Sequence, residues 1–162
     1  MAINIRDYQE SDKPQLIVWM EQMQDYLINL DPMKRLLRRP KYGPVFTQEM
    51  LSFVSKNTGV IYIATIDQKP VGFVAGAIQK QSKKNLLELI PTKLGIVSDL
   101  FVDEKYRQNG IGKLLLNKME HYLKAKNCDH IWLTVVAYNP AHKFYQKYGF
   151  INREIGMIKK VK

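Results

Sequence analysis

The apolar residues change period at residue 60, and that change limits the folds open to this 162-residue chain. Val60–Ile66 and Val71–Ile78 are β-branched and aromatic runs joined by Asp67-Gln68-Lys69-Pro70, which reads as an antiparallel hairpin. Upstream, Leu16, Trp19, Met20, Met23, Leu27 and Leu30 recur at three- and four-residue spacing. They form one helical stripe that starts after Ser11-Asp12-Lys13-Pro14 and ends near Asp31-Pro32. Ile3 and Ile5 alternate with Asn4 and Arg6 across Ala2–Tyr8, so a short strand precedes that helix. Thr47–Lys56 predicts a second helix, with Thr47 as cap and Met50, Leu51 and Val54 on its buried side. Between them Met33–Pro44 carries Lys34, Arg35, Arg38, Arg39 and Lys41 around two leucines and reads as a short basic helix or loop.

Past the hairpin, Gln79–Thr92 is a polar, basic connection around Leu86, Leu87 and Leu89, and Leu94–Val102 is the next strand. Gly110–Lys126 sets Ile111, Leu114, Leu115, Met119, Tyr122 and Leu123 on one helical face. Ile131–Val136 predicts a strand, Asn139–Tyr148 a short helix closed by Gly149, and Phe150–Val161 a last strand. No repeat, linker or low-complexity tract interrupts this order, which indicates an α+β or mixed-sheet α/β fold. The length suits one domain, 1–162, large enough to need no metal or disulfide staple.

Composition removes several classes. With 46% hydrophobic and 25% charged residues, the chain has the make-up of an ordinary globular domain, not of a disordered, collagen-like or disulfide-rich one. Cys128 has no partner in the chain, and Met1–Asp7 lacks a signal-peptide pattern, so a reducing, cytoplasmic compartment is expected. No apolar run approaches the roughly 20 residues that span a bilayer, and no Cys/His cluster has metal-ligand spacing. The formal charge of +10 attracts nucleic acid, an anionic membrane or a phosphorylated ligand about equally, so charge alone does not choose a partner.

Two stretches do choose. Gly110 and Gly112 flank Ile111 where a strand passes into a helix, an arrangement that brings bare N–H groups and the positive helix end to an anion. A Walker loop would need glycine where Arg107 stands and Ser or Thr where Leu114 stands, and the dinucleotide fingerprint would need a small residue at Leu115. The second stretch is Asn139-Pro140-Ala141-His142-Lys143-Phe144-Tyr145, ending in Gly149-Phe150. Taken singly, Asn139 is a helix cap and Tyr145 a packed aromatic.

Together, Arg107-x-x-Gly110-x-Gly112 and Asn139…Phe144-Tyr145…Gly149-Phe150 resemble the GCN5-related N-acetyltransferase (GNAT) family. The likeness is specific from about Val60 to Phe150 and reaches Ala2–Lys56 only in element order. It implies a central, mostly antiparallel sheet of six to seven strands with one parallel pair splayed apart, here Leu94–Val102 and Ile131–Val136, and helices on both faces. It further implies transfer of the acetyl group of acetyl-CoA to a primary amine of a small molecule or protein within a ternary complex, without a metal. Leu100, Phe101 and Val102 would bond the pantetheine arm through their backbone. Arg107, Gln108, Asn109, Gly110, Ile111 and Gly112 would hold the pyrophosphate. Asn139 would touch the cofactor, Tyr145 would lie near its sulfur, and a homodimer through sheet edges or the last strand is a common family arrangement.

Acyl transfer has its own requirements. An amine must shed its proton, because a lysine-type ammonium titrates near about 10.4, so a base or a water chain is needed. Asp99 or Glu88 is the candidate base, and Tyr145 suits the acid that protonates the departing thiolate. A backbone N–H of the splayed strand, that of Leu100 or a neighbour, is the natural oxyanion donor. His121, His130 and His142 stand alone in the sequence, and Cys128 has no paired histidine. Two other readings stay open: a different acyl-CoA donor, and a CoA-binding or basic nucleic-acid module. The aromatics are not interleaved with basic residues in a stacking pattern, which argues against nucleic acid. The variable segments Leu30–Thr47 and Gln79–Thr92 are basic, which favours neutral or carboxylate-bearing amines, or an acidic protein surface, over polycations.

Overall fold

The computed structural model describes residues 2–161. In chain order its elements are β1 (Ile3–Asp7), α1 (Lys13–Leu30), α2 (Tyr42–Lys56), β2 (Val60–Ile66), β3 (Lys69–Gln79), β4 (Leu94–Val102), α3 (Ile111–Ala125), β5 (His130–Trp132) and α4 (Ala141–Tyr148). The strands lie side by side in sequence order, antiparallel except for the parallel pair β4 and β5. Strand alternation divides the core between the two faces. Ile61, Ile63, Phe73 and Ala75 face α1 and α2, where Trp19 stacks on Phe73 with ring centroids 5.7 Å apart. Tyr62, Ala64 and Val74 face α3, which meets them with Leu115, Leu116, Met119 and Leu123.

Of three sequence expectations, two are corrected. First, α2 begins at Tyr42, so Thr47 is no cap: it is fully buried inside the helix and its hydroxyl has no partner among the described residues. Pro44 sits in the first turn, whose N–H groups need no intrahelical acceptor, and so does not delay the helix. Gly43 lets α2 approach α1 closely, since a Cβ there would lie 2.7 Å from the Ile17 carbonyl oxygen. Second, the basic segment before α2 is a loop, one of the two forms expected. The Asp31 carboxylate accepts from the backbone N–H groups of Met33, Arg35 and Leu36. Third, Phe150–Val161 forms no strand, and β5 has three residues where six were expected. Ile151 and Met157 are 88% and 92% exposed, with no sheet edge paired to them, so the sheet has five strands among the described residues.

The sheet edge is tied to α1 by one ion pair. Asp12, 5% exposed, takes two bonds of 2.7 Å from Arg6 and one from the Gln9 N–H. Arg6, joined by that N–H, holds the Asp12 carboxyl below its ordinary range against the opposing effect of burial. A carboxyl lowered in the folded state adds stability above the unfolded value of about 3.9, and that stability is lost as pH falls through the folded value. Asp12→Ala should therefore cost about 2 kcal/mol at neutral pH, or about 4–8 °C in Tm. Thermal melts should show the gap between variant and parent closing as pH drops below the carboxylate range; a gap unchanged there would contradict the assignment.

Candidate active site

β5 bonds β4 only where Leu94, Gly95 and Ile96 face His130, Ile131 and Trp132. Beyond Ile96, β4 continues along β3 to Val102 while the chain after Trp132 leaves the sheet, so Val97–Val102 keeps one edge unpaired. A β-bulge sits at the parting. Gly76 pairs with Val97 and Ala75 with Asp99, leaving Ser98 unmatched, with its hydroxyl donating to the Ala75 carbonyl at 3.3 Å. One inserted residue reverses the side-chain alternation. Val97, Leu100 and Val102 pack toward α3, Phe101 packs toward α1 and α2, and Asp99 falls on the Phe101 side.

The Asp99 charge acts on two tyrosines from elements far apart in sequence, Tyr42 of α2 and Tyr145 of α4, the latter packed against the α3-side cluster. Burial raises both hydroxyl pKa values, and the Asp99 charge adds to the effect, bringing Tyr145 to about 12. Asp99 is itself raised by burial, with the Ser98 hydroxyl acting the other way. The Tyr145 ring packs on Phe144 and edge-on to Phe150 at 5.2 and 5.8 Å, while its hydroxyl has no partner among the described residues. Tyr148, one turn along, is committed: its hydroxyl lies 2.6 Å from both Asn117 and Glu120 and ties α4 to α3. Tyr42 donates to the Gln24 side chain at 3.0 Å, and Gln24 in turn donates to the Leu37 carbonyl at 2.9 Å. Gln24, only 8% exposed, thus ties the basic loop to α1 and to Tyr42.

At the wide end of the parted strands, Gly110 has φ +79° and opens α3 without a side-chain cap. Leu114 supplies the first N–H bonded back, to the Gly110 carbonyl, so the amides of Ile111, Gly112 and Lys113 have no helical acceptor. A Cβ at Gly112 would meet only Phe144 at 3.7 Å and Val102 at 3.9 Å, ordinary contacts. The protein therefore does not itself require glycine at 112; what glycine keeps clear is the space before those amides. Side chains hold the loop from behind: Asn109 donates to the Tyr106 and Arg107 carbonyls, and Gln108 is left-handed at φ 65°. Arg107 donates to the Val102 carbonyl and stacks 5.0 Å above Tyr26 of α1.

The remaining candidates are dispersed. Asn139 accepts from the Ala141 N–H at 2.9 Å, one residue ahead of the Pro140 N-cap of α4. Glu88 is exposed in the β3–β4 connection, beside a single 3-10 turn. His121 and His142 bond Asn117 and Asn152, each at 2.7 Å, and His130 is exposed. Tyr42, Gln24 and Ser98 escaped the sequence reading. Tyr42 and Gln24 join the site by long-range packing, and a bulge leaves no signature in one strand alone.

The mixed sheet thus parts after three parallel pairs, with a bare helix start at its wide end. The model of the acetyltransferase (GNAT) family matches residues 16–150, and the chain belongs to that family. An uncharacterized N-acetyltransferase of Methanocaldococcus jannaschii is 29% identical over 129 residues, covering 78% of this chain and 75% of the relative. The chain spans 75%, 44% and 33% of the lengths of three curated relatives it matches. The tetramutant of a Bacillus halodurans protein superposes with TM-score 0.83 at 20% identity, covering 98% of this chain and 99% of that one. A Clostridium acetobutylicum protein described as a predicted acetyltransferase with acetyl-CoA gives TM-score 0.71 at 19% identity, over 99% and 97% of the two chains.

Gly112→Trp, whose Cβ meets Phe144 and Val102 only at ordinary contact distance, should fold and should lose acetyl-CoA affinity at least tenfold. Titration calorimetry with a melting curve on the same sample checks it. Parental affinity in the folded variant would show that the α3 start does not hold the phosphates.

Proposed function

We propose that the protein transfers the acetyl group of acetyl-CoA to a primary amine of a small molecule or protein, by direct attack in a ternary complex. The observation that carries this reading is the unpaired Val97–Val102 edge running into the uncapped start of α3. A bare strand edge suits the two amides of a pantetheine arm, with Leu100, Phe101 and Val102 as partners, and the α3 amides suit a pyrophosphate. Bound there, acetyl-CoA supplies an activated acetyl group as a thioester. A backbone N–H at Leu100 or a neighbour steadies the charge growing on the carbonyl oxygen.

The residues around the edge divide the proton work. Asp99, with its raised pKa, is a stronger base than an ordinary carboxylate and takes the proton of the incoming ammonium, directly or through water. Tyr145, at about 12, keeps its proton at neutral pH and gives it to the departing sulfur as the C–S bond breaks and the C–N bond forms. The nitrogen sheds its second proton as the C–N bond forms, which restores Tyr145, and the proton gained by Asp99 passes to water, so one proton is released per turnover and both groups are restored.

The basic loop bears on the acceptor. Arg38 is neutralised by Asp25 and Glu21, whereas Lys34, Arg35, Arg39 and Lys41 have no carboxylate partner among the described residues. Gln24 ties this loop to Tyr42, on which the Asp99 charge acts, so an amine flanked by neutral or acidic groups suits the site better than a polycation.

Titration with acetyl-CoA, CoA and 3′-dephospho-CoA tests the cofactor half. Micromolar binding, weakened by loss of the 3′-phosphate, is expected; absence of saturable binding would overturn the reading. Tyr145→Phe should lower kcat about a hundredfold or more with KM for acetyl-CoA nearly unchanged, while Tyr148→Phe should lower the melting point and spare kcat. Asp99→Asn should remove the rising limb that kcat/KM shows above the ordinary carboxylate range. Parental profiles in either site variant would free that residue of its role. Arg35→Glu with Arg39→Glu should raise KM for an acidic acceptor and lower it for a polyamine; an unchanged ranking would contradict the loop's part in selection.

A further inference from the structure

The end of the sheet opposite the α3 start holds a second concavity. It has a volume of about 620 Å³ and lies where α2 and β3 end and where β4 and β5 begin. β4 separates it from the 107–112 loop by roughly 26 Å, at about 3.3 Å per strand residue. The lysines Lys56, Lys80, Lys93 and Lys126 line it, with Asp129 as the single acidic residue in the wall. None of the four ammonium groups has a carboxylate partner among the described residues. Asp129 is already engaged, accepting the backbone N–H of Lys93 at 2.6 Å. Four positive charges against one negative leave a local surplus of three around one hollow.

The wall is preformed. Gln81 accepts the Thr92 N–H at 2.8 Å and donates to the Ile90 carbonyl, which clasps the two ends of the β3–β4 connection. The Asp129 N–H donates to the Lys93 carbonyl at 2.8 Å, so both backbone groups of Lys93 are held. Ile78 and Pro91 add apolar surface to the lining. The four side chains are exposed, Lys126 lying over the Tyr122 ring at 5.6 Å, and a multiply charged anion in the hollow can engage them together. The volume lies within the range of small-molecule sites, about 300–1,000 Å³, and leaves room for an organic body beside a phosphate chain.

We infer that this hollow, lined by Lys56, Lys80, Lys93 and Lys126, is a second binding site, one for a polyphosphorylated small molecule of nucleotide size. It is independent of the acetyl-transfer reading. It touches the first residues of the strand pair whose parting opens the cofactor cleft, so an occupant braces Lys93 and Asp129 at the hinge of that opening.

The test is titration of magnesium-free ATP into protein saturated with acetyl-CoA, at low salt and again at raised salt, with tripolyphosphate as competitor. One ATP per chain is expected, with affinity falling as salt rises and with tripolyphosphate displacing it. Lys56→Glu with Lys126→Glu should weaken ATP at least tenfold and leave acetyl-CoA affinity unchanged. Lys80→Gln with Lys93→Gln, which keeps the backbone clasp, serves if the first pair fails to fold. The proposal is overturned by no saturable ATP binding, by equal ATP affinity in the folded variants, or by stoichiometry well above one. A 20-nucleotide RNA that displaces ATP and binds far more tightly would also overturn it, assigning the surface to nucleic acid. If acetyl-CoA fails to bind, the same arms run on the free chain, since the lysine variants report on this hollow alone.

Discussion

The site depends on one extra residue in β4. Ser98 has no partner across the sheet, and its insertion bends the strand and reverses which face each following side chain occupies. Without it, Asp99 would share the α3 side with Val97 and would be buried against an aliphatic cluster. With it, Asp99 lies on the Phe101 side, and Phe101 takes a place in the Trp19 and Phe73 stack. The bulge also lies just past the last bonded pair of β4 and β5, so the same distortion accompanies the parting of the strands.

Leaving the edge of β4 open beyond that point has a cost, because unpaired backbone groups are stable only where water or a ligand satisfies them. The rest of the fold keeps the opening in shape. On one side α1 and α2 bury Trp19, Met20 and Met50 against the sheet, and Gln24 pins both the basic loop and Tyr42. On the other, α3 presents Leu115, Leu116, Met119 and Leu123, and Tyr148 fastens α4 to it through Asn117 and Glu120. Tyr145 is thereby carried to the cleft by a helix whose neighbouring tyrosine does the anchoring. Of two tyrosines on one short helix, the acid role is proposed for Tyr145, whose hydroxyl has no partner among the described residues.

Much of this was legible in the sequence wherever the signal was local. The stripe Leu16, Trp19 and Met20, the hairpin, and the passage from strand through Gly110 into a helix are readable because apolar period and glycine chemistry are short-range properties. The family resemblance placed the parting of β4 from its parallel neighbour, which the sheet register bears out. What failed was contextual. Thr47 looks like a cap, but tertiary packing extended α2 upstream of it through Gly43 and Pro44. Phe150–Val161 has strand-forming residues, but a strand needs an edge to pair with, and none takes it up. On α3 the stripe named Leu114, which is 41% exposed, and missed Leu116, which is fully buried, because the helix is covered over a wider arc than one stripe. Tyr42 and Gln24 could not be read, since nothing in residues 24 and 42 announces a neighbour at 99.

The account turns on the outer edge of β4 and the start of α3 forming one continuous acetyl-CoA surface. Amide hydrogen exchange, measured with and without saturating acetyl-CoA, reads those N–H groups directly. The prediction is slowed exchange concentrated in residues 98–102 and 111–113, with β1 and β2 unchanged. Binding of acetyl-CoA that leaves those two segments exchanging as in the free protein would contradict it.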